Sequence, residues 1–289
     1  MLTKTIVVLA LVCGLFPAAT AADQELEKLL IDQYRDKVLA LRHPFKSSSQ
    51  EYDAEGKPAK RGEEGPWTLY GRIVVKKIAV DAGRLKVEGQ RAVYGFNKNG
   101  SLVRFSNDRK HPAEELKVTL RLNQPLASAD EAATVLGRVF ARTPEEMVSS
   151  VPTYWQPQVA KLLGVGIPKK TDLQDASGTG VAAEAGSDQI AKLADFTDRK
   201  HFTAPRVLYK REPNFSEAAR AWRYEGTVGM NVIVDNTGRV GQITIVHPLG
   251  MGLDENAVET VRNWRFAPAT HDGQPIAVLV YIEIDYHLY

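Results

Sequence analysis

Histidine is the residue best suited to bind a metal or to move a proton near neutral pH, and the chain contains six of them. They are His43, His111, His201, His247, His271 and His287. No two are three or four residues apart, so no helix would place two imidazoles on one face as a pair of metal ligands. The pattern predicts no metal site and indicates surface or structural roles for these side chains.

No other group of side chains in the sequence resembles a catalytic site. No serine lies in the Gly-x-Ser-x-Gly context of a nucleophile elbow. Gly178–Ala183 has the glycines of a dinucleotide-binding loop, but no predicted strand precedes it and no amphipathic helix follows it. Asp254 and Glu255 are explained by a helix amino-terminus, where carboxylates cap the backbone and complement the dipole. The sequence therefore predicts no catalytic residue, no metal and no cofactor, and favours a protein that is not an enzyme.

The overall charge argues against nucleic acid as a partner. The 289 residues include 37 Lys plus Arg and 35 Asp plus Glu, so the net charge is close to zero. A nucleic-acid-binding protein normally carries a basic excess on one surface. The apolar content of 44% is normal for a chain that buries hydrophobic cores, and the length allows about two domains.

The first residues have the pattern of an export signal at 1–22. Lys4 provides the positive start, Ile6–Phe16 provides the apolar run, and Ala19–Ala21 provides a small-x-small cleavage site. The apolar run is shorter than the ~20 residues that a membrane-spanning helix needs. The sequence therefore predicts a cleaved signal and a periplasmic protein.

Two features of this segment bear on alternatives. Cys13 is the only cysteine, and bulky residues precede it, so it is interpreted as apolar filler rather than a lipidation site. Cleavage would leave a mature chain without thiols or disulfides. The alternative is that residues 5–22 stay attached as an inner-membrane anchor facing the periplasm.

The region 23–163 is predicted to be a β-rich α+β domain of unknown role. Gln24–Leu41 has the apolar spacing of a helix, and Leu69–Val80 begins a run of strand patterns. Asp130–Ala141 is predicted to be a helix capped by Ser128. Residues 164–202 are rich in Gly, Ala, Ser and Asp and predict a flexible linker.

The last region, 203–289, alternates strand and helix patterns. Val228–Val234 and Val240–Val246 are predicted strands joined by a hairpin loop at Asp235–Gly238. A helix capped by Asp254 follows, and a long strand at Ile276–His287 ends the pattern. A helix after two paired strands must cover one face of the sheet, so the order predicts a two-layer sandwich.

Several segments of this region resemble one family when they are taken together. These segments, in order along the chain, are Ala204–Tyr209, Glu212–Arg220, Gly226–Val240, Gly252–Ala257, Trp264–Ala269 and Asp272–Pro275. Each one is weak alone, but their order and spacing are similar to those of the TonB carboxy-terminal domain. The resemblance covers residues 203–289.

The resemblance implies a three-stranded antiparallel sheet with helices on one face. It implies an exported, non-catalytic binding protein that adds an extended segment of an envelope partner, such as a TonB-dependent outer-membrane transporter, to its sheet edge. The expected site on the last strand comprises Val278, Leu279, Val280, Tyr281, Ile282 and Glu283. Strand exchange between two copies is the alternative use of that edge, and a membrane-anchored energy transducer is the alternative function.

Overall fold

The computed structural model describes residues 21–81, 83–167, 191–192 and 201–288. The predicted signal at 1–22 and the predicted linker at 164–202 lie almost entirely outside these residues, so both stay predictions. The described residues mix helices and strands in both regions, which confirms the predicted α+β class.

The first region is built around one mixed sheet. Its elements are α1 (Ala21–Tyr34), β1 (Val38–Leu41), β2 (Ser49–Tyr52), α2 (Trp67–Tyr70), β3 (Arg72–Asp81), β4 (Arg84–Arg91), β5 (Tyr94–Phe96), β6 (Leu102–Arg104), β7 (Glu115–Arg121), α3 (Ala129–Leu136), β8 (Phe140–Ala141), α4 (Pro144–Ser150) and α5 (Gln156–Leu163). The described strands order as β2-β7-β4-β3-β1-β8, and β5 pairs separately with β6. Helix α1 packs on β3, so the apolar face of the sheet is covered.

The predicted helix Gln24–Leu41 is wrong over its last seven residues, Arg35–Leu41. Helix α1 ends at Tyr34, and Asp36 takes a positive φ of 61° that a continuing helix cannot contain. The chain then forms β1, which pairs antiparallel with β3 in the register Val38 to Val74. The apolar spacing of these residues fits either structure, and pairing with a strand distant in the sequence decides between them.

The predicted cap of the third helix is confirmed. The Ser128 hydroxyl accepts a hydrogen bond from the Glu131 amide at 3.2 Å. The helix ends at Leu136 rather than at Ala141, because Phe140 and Ala141 form β8 against β1. Helices α4 and α5, which follow, were not predicted from the sequence.

The second region contains the sheet that the resemblance implied. Its elements are β9 (Ala191–Lys192), β10 (Phe202–Thr203), β11 (Arg206–Tyr209), α6 (Glu217–Ala221), β12 (Gly226–Val234), β13 (Val240–His247), α7 (Leu253–Arg262), β14 (Arg265–Ala267), β15 (Ala269–His271), β16 (Gln274–Ile276) and β17 (Val278–Tyr286). Strands β13, β12 and β17 form the antiparallel core of the sheet, and β9 adds to β17 in parallel. Helix α7 packs against β12 and β13.

The hairpin between β12 and β13 follows its predicted turn chemistry. Gly238 has a φ of +79°, and the Asp235 carboxylate accepts hydrogen bonds from the amides of Thr237 and Arg239 at 2.8 and 2.9 Å. A Cβ on Gly238 would lie 1.8 Å from the carbonyl oxygen of Phe266. Glycine is therefore required at this position by both the backbone angle and the space.

The two regions share one hydrophobic core. Trp155 of the first region is fully buried and belongs to the same cluster as Val228, Met230 and Ile245 of the second region. Trp155 also stacks on Phe96 with ring centroids 5.6 Å apart. The domain boundaries 23–163 and 203–289 stay a prediction from the sequence. Side chains of the first region form part of the core that covers the second sheet.

Candidate partner-binding edge

Strand β17 carries every residue of the predicted site, and β12 fixes its position. The two strands pair antiparallel over nine residue pairs, from Gly226 with Tyr286 to Val234 with Val278. Val278 and Ile284 are buried on the inner face, whereas Tyr281 and Glu283 are exposed. The side chains therefore alternate between core and solvent as predicted, with the register set by the buried face.

The backbone groups of β17 alternate in direction as well. The Ile245 amide donates to a carbonyl outside the sheet, so the amide and carbonyl of Ile245 point away from β12. Ile245 and its partner Met230 are therefore a non-hydrogen-bonded pair, and the amide and carbonyl of Met230 point toward β17. Met230 pairs with Ile282 of β17, so the amide and carbonyl of Ile282 form hydrogen bonds with β12. By the same alternation, the amides and carbonyls of Tyr281 and Glu283 point outward at the edge.

The two edges of the sheet are occupied to different extents. On β13, the Ile245 amide donates to the Tyr154 carbonyl at 3.0 Å, so the first region covers part of that edge. On β17, Val278 and Leu279 pair with β9. Among the described residues, no strand pairs with the outer edge of β17 from Val280 to Tyr286. Among the described residues, the predicted site is therefore paired with β9 at its first two residues and has no strand partner on that side along the rest.

Tyr281 lies across the outer face of the sheet rather than extending into solvent alone. Its hydroxyl contacts Nδ1 of His247 at 2.7 Å and donates to Glu283 Oε1 at 3.1 Å. A Cβ on Gly229 would lie 2.3 Å from that hydroxyl oxygen, so glycine leaves the space that the phenol fills. An aromatic ring covering a glycine on a neighbouring strand fixes register and side-chain direction together.

The start of α7 holds the carboxy-terminal end of β17. The prediction that Asp254 caps this helix is wrong, because the cap position is Gly252 and Asp254 lies inside the first turn. The buried Asp254 carboxylate instead accepts hydrogen bonds from the Leu249 and Gly250 amides. The Tyr286 hydroxyl donates to the Leu253 carbonyl at 2.9 Å, which fastens the end of β17 to α7.

Burial changes the protonation of the acidic pair at this helix start. Burial and the neighbouring Glu255 raise the pKa of Asp254 well above its usual value. Burial also raises the pKa of Glu255 to about 7. Trp155 Nε1 donates to Glu255 Oε1 at 3.0 Å, while Oε2 is buried without a hydrogen-bond partner. Glu255 is therefore a titratable group at the contact between the two regions.

Neither metal ligation nor a membrane span is found where the structure describes the chain. In residues 21–81, 83–167, 191–192 and 201–288, no three His, Cys, Asp or Glu side chains come together as metal ligands. Within the same ranges, no helix has the length and apolar content needed to cross a bilayer.

This geometry defines a class of fold, a small α+β domain whose last strand has no described partner on its outer side beyond Leu279. Residues 211–288 match the family model described as the Gram-negative bacterial TonB protein C-terminal. The second region of the chain is therefore a domain of the TonB carboxy-terminal family, which confirms the resemblance of its segments.

One curated relative and one solved structure illustrate the likeness. Protein TonB of Vibrio cholerae serotype O1 is 31% identical over 105 residues, which are 36% of this chain and 41% of the relative. The chain thus spans about two fifths of that relative's length. The solution structure of the Pseudomonas aeruginosa TonB CTD is 20% identical, covers 34% of this chain and 94% of its own, and superposes with a TM-score of 0.27.

Two features of the site lay beyond sequence reasoning. The pairing of β9 with Val278 and Leu279 joins segments separated by most of the second region, and two residues carry no strand pattern of their own. The contact of Tyr281 with Gly229 and His247 is indicated in the sequence by one feature only, the isolated Gly229 inside a strand pattern. Such a glycine indicates a close approach, although it does not say by which side chain.

Proposed function

We propose that this protein is a non-catalytic binding protein of the bacterial envelope that takes up an extended peptide segment along β17. The observation that carries the proposal is the outer edge of β17 from Val280 to Tyr286, which no described strand covers. Strand addition at such an edge gains affinity from backbone hydrogen bonds, and side-chain contacts choose the partner.

The backbone at this edge suits strand addition. The outward amides and carbonyls of Tyr281 and Glu283 are the groups that an incoming backbone would pair with. The strand is fixed on its other side by β12 over its whole length and at its end by the Tyr286 hydroxyl. A preorganised edge of this kind costs little ordering free energy when a peptide binds.

The side chains on the outer face favour a partner with polar character. Tyr281 is 47% exposed, and Glu283 stands beside it on the same face. A peptide pairing at this edge would place its alternate side chains next to these two groups. Hydrogen-bond donors or basic groups opposite Glu283 would complement its charge.

The partner that we propose is an envelope protein, in the first place a TonB-dependent outer-membrane transporter. This step rests on the family of the second region and on the relative named Protein TonB. We propose that the chain is exported and works in the periplasm. The alternative is a TonB-type energy transducer that keeps residues 5–22 as an inner-membrane anchor.

Mass spectrometry of the amino-terminus of the protein from cells separates these two proposals. A chain that begins at Ala22 or Asp23 supports a released periplasmic protein and contradicts the anchored transducer. A chain that retains residues 5–22 and fractionates with the inner membrane would reverse that conclusion.

The docking proposal itself is tested by crosslinking in cells. A photo-reactive residue at Glu283 on the open edge is compared with one at Gln242 on β13, which is also exposed. We expect a covalent adduct at position 283 whose partner site maps to an extended segment of an envelope protein. An equal yield of the same adduct at position 242 would contradict docking at β17.

A proline variant distinguishes backbone pairing from side-chain contact. Glu283→Pro removes an outward amide and leaves the pairing of Ile282 with β12 in place, and proline is tolerated at such edge positions. With the photo-reactive residue moved to Asp285, which is also exposed on this strand, we expect Glu283→Pro to lose the adduct while Glu283→Ala keeps it. Retention by both variants, with the chain folded, would exclude strand addition here. Adducts that join two copies of the chain would instead support a homodimer by edge exchange.

A further inference from the structure

Arg72 at the start of β3 is a buried cation without an anionic partner. Its side chain is 6% exposed, and the guanidinium carbon lies 4.7 Å from the ring centroids of both Trp67 and Tyr94. Among the described residues, no carboxylate pairs with it, and its NH1 donates to no acceptor. Two aromatic faces compensate only part of the cost of removing a cation from water.

A second unpartnered donor lies on the residue that stacks on Arg72. The indole Nε1 of Trp67 is buried and has no hydrogen-bond partner in the part of the chain that the structure describes. Trp67 is held by edge contact with Trp155 at 5.2 Å between ring centroids. The ring therefore cannot turn its N–H to solvent without disturbing the shared core.

Trp67 and Arg72 both line one small cavity between the first sheet and helix α4. The other lining groups are mainly apolar or backbone, and include Leu41, Pro44 and Val151. The volume of the cavity is about 10 Å³, which is close to the ~10–15 Å³ that a single water-sized occupant requires. The cavity therefore has room for a small acceptor beside these two residues.

Arg91 on the neighbouring strand shows how the same fold satisfies a buried guanidinium. It is 2% exposed, and its nitrogens donate to the backbone carbonyls of Tyr70, Phe45, Lys46 and Ser47. Within the described residues, its Nε forms no hydrogen bond but lies 3.1 Å from a carboxylate oxygen of Glu114, so the guanidinium has the anionic partner that Arg72 lacks. Buried polar groups are normally satisfied in this way, and one that is not requires an explanation such as a bound ion.

We propose that Arg72 and Trp67 together bind one halide-sized anion, with chloride as the natural occupant. The cation supplies the charge, the indole N–H supplies a second directed donor, and the apolar lining excludes larger hydrated anions. Burial lowers the pKa of Arg72 to about 10, so the guanidinium stays charged at neutral pH and keeps its need for a counter-ion.

The first test is crystallographic, with bromide as the probe. Crystals of the full chain are soaked in sodium bromide, and anomalous scattering locates the heavier halide. We expect a peak within hydrogen-bond distance of Arg72 NH1 and Trp67 Nε1. A map with bromide elsewhere on the surface and no peak at this cavity would overturn the proposal.

The second test is thermal unfolding of the full chain in sodium chloride against sodium gluconate at equal ionic strength. We expect chloride to raise the melting temperature by roughly 3 °C or more, because an ion bound only by the folded state stabilises it. Arg72→Met should remove this increment. Arg121→Met, which changes an exposed arginine paired with Glu51, should keep it.

A milder variant covers the case in which Arg72→Met does not fold. Trp67→Phe keeps an aromatic ring over the guanidinium and removes only the N–H donor. We expect its chloride increment to fall to about half that of the parent or less. An unchanged increment in Trp67→Phe, or in folded Arg72→Met, would show that the halide acts elsewhere and would overturn the assignment.

Discussion

The two edges of the second sheet differ in what covers them. On β13, the Tyr154 carbonyl accepts a hydrogen bond from Ile245, and the neighbouring Trp155 anchors the first region to α7 through Glu255. On β17, the only cover among the described strands is the two-residue β9. A sheet edge left free invites pairing with another chain. The first region therefore protects part of the β13 edge, whereas no described strand pairs with the outer side of β17 beyond Leu279.

This difference assigns a structural role to part of the first region. The buried side chains of Val148, Val151, Trp155, Val159 and Ala160 lie in the same core cluster as the inner face of the second sheet. Removing them would expose that apolar core as well as the β13 edge. The four predictions below alter either the protected side or the open side of this sheet, in order of decreasing effect.

The largest effect is expected on the protected side, from Trp155→Ala. The side chain is fully buried and stacks on Phe96, so its removal leaves a cavity and should cost about 3–5 kcal/mol of unfolding free energy. Chemical denaturation measures the loss. Hydrogen exchange should also show faster exchange of the Ile245 amide. A loss below about 1 kcal/mol would mean that Trp155 does not hold the two regions together.

On the outer face, Gly229→Ala should cost about 1–3 kcal/mol. The added methyl group would lie 2.3 Å from the Tyr281 hydroxyl and 2.8 Å from His247 Nδ1, so both side chains must move. Thermal or chemical unfolding measures the cost. Gly241→Ala on β13, where a Cβ would meet its nearest atom at 3.5 Å, is the matched control and should cost less.

The acidic group between the regions should make stability depend on pH. The pKa of Glu255 is raised to about 7 in the folded chain, against an unfolded value of about 4.3. The folded state then holds a proton that the unfolded state has released, so stability is greatest below about pH 4.3 and falls as pH rises to about 7. Partial exposure of Glu255 reduces this contribution to about 1–2 kcal/mol.

Glu255→Gln checks this pH dependence. The amide keeps an acceptor for the Trp155 N–H and cannot ionise, so the decline in unfolding free energy between pH 4.5 and pH 7 should become shallower. Asp254, whose pKa is also raised, should leave a residual slope. An identical slope in the parent and the variant would rule out Glu255 as the titrating group.

The smallest effect is expected from Tyr281→Phe on the open side. The change removes the hydroxyl that contacts His247 and Glu283 and lies beside Gly229 but keeps the ring, so it should cost about 0.5–1 kcal/mol. Chemical denaturation of variant and parent measures the difference. Tyr281→Lys, which also removes the ring, should weaken partner capture. Unchanged capture by that variant would argue against pairing at this strand.

The parts of the fold that the sequence predicted correctly have local causes. The Ser128 cap and the turn at Gly238 depend on hydrogen bonds and backbone angles within four residues. The alternation of buried and exposed side chains along β17 can be predicted from the sequence, because each inward position must be apolar. The antiparallel three-stranded core followed from the family resemblance, whose segments are spaced along the whole second region.

The parts that the sequence did not predict depend on contacts between distant segments. Val38–Leu41 has helical spacing and becomes a strand because β3 offers it a pairing partner. Asp254 has the composition of a helix cap and instead accepts from Leu249 and Gly250, because the loop before the helix folds back over it. The open part of the predicted site could not be separated from its covered part until β9 was located.

If an extended peptide pairs with β17 as we propose, the position of β9 limits the length over which it can pair. Pairing at Val278 and Leu279 leaves Val280 to Tyr286, a stretch of about 20 Å at the usual rise of a strand. A peptide that continued this pairing beyond about seven residues toward Val278 would have to turn away from β17 or displace β9. Comparing the affinities of synthetic peptides of about five to nine residues would therefore measure how many residues pair with β17.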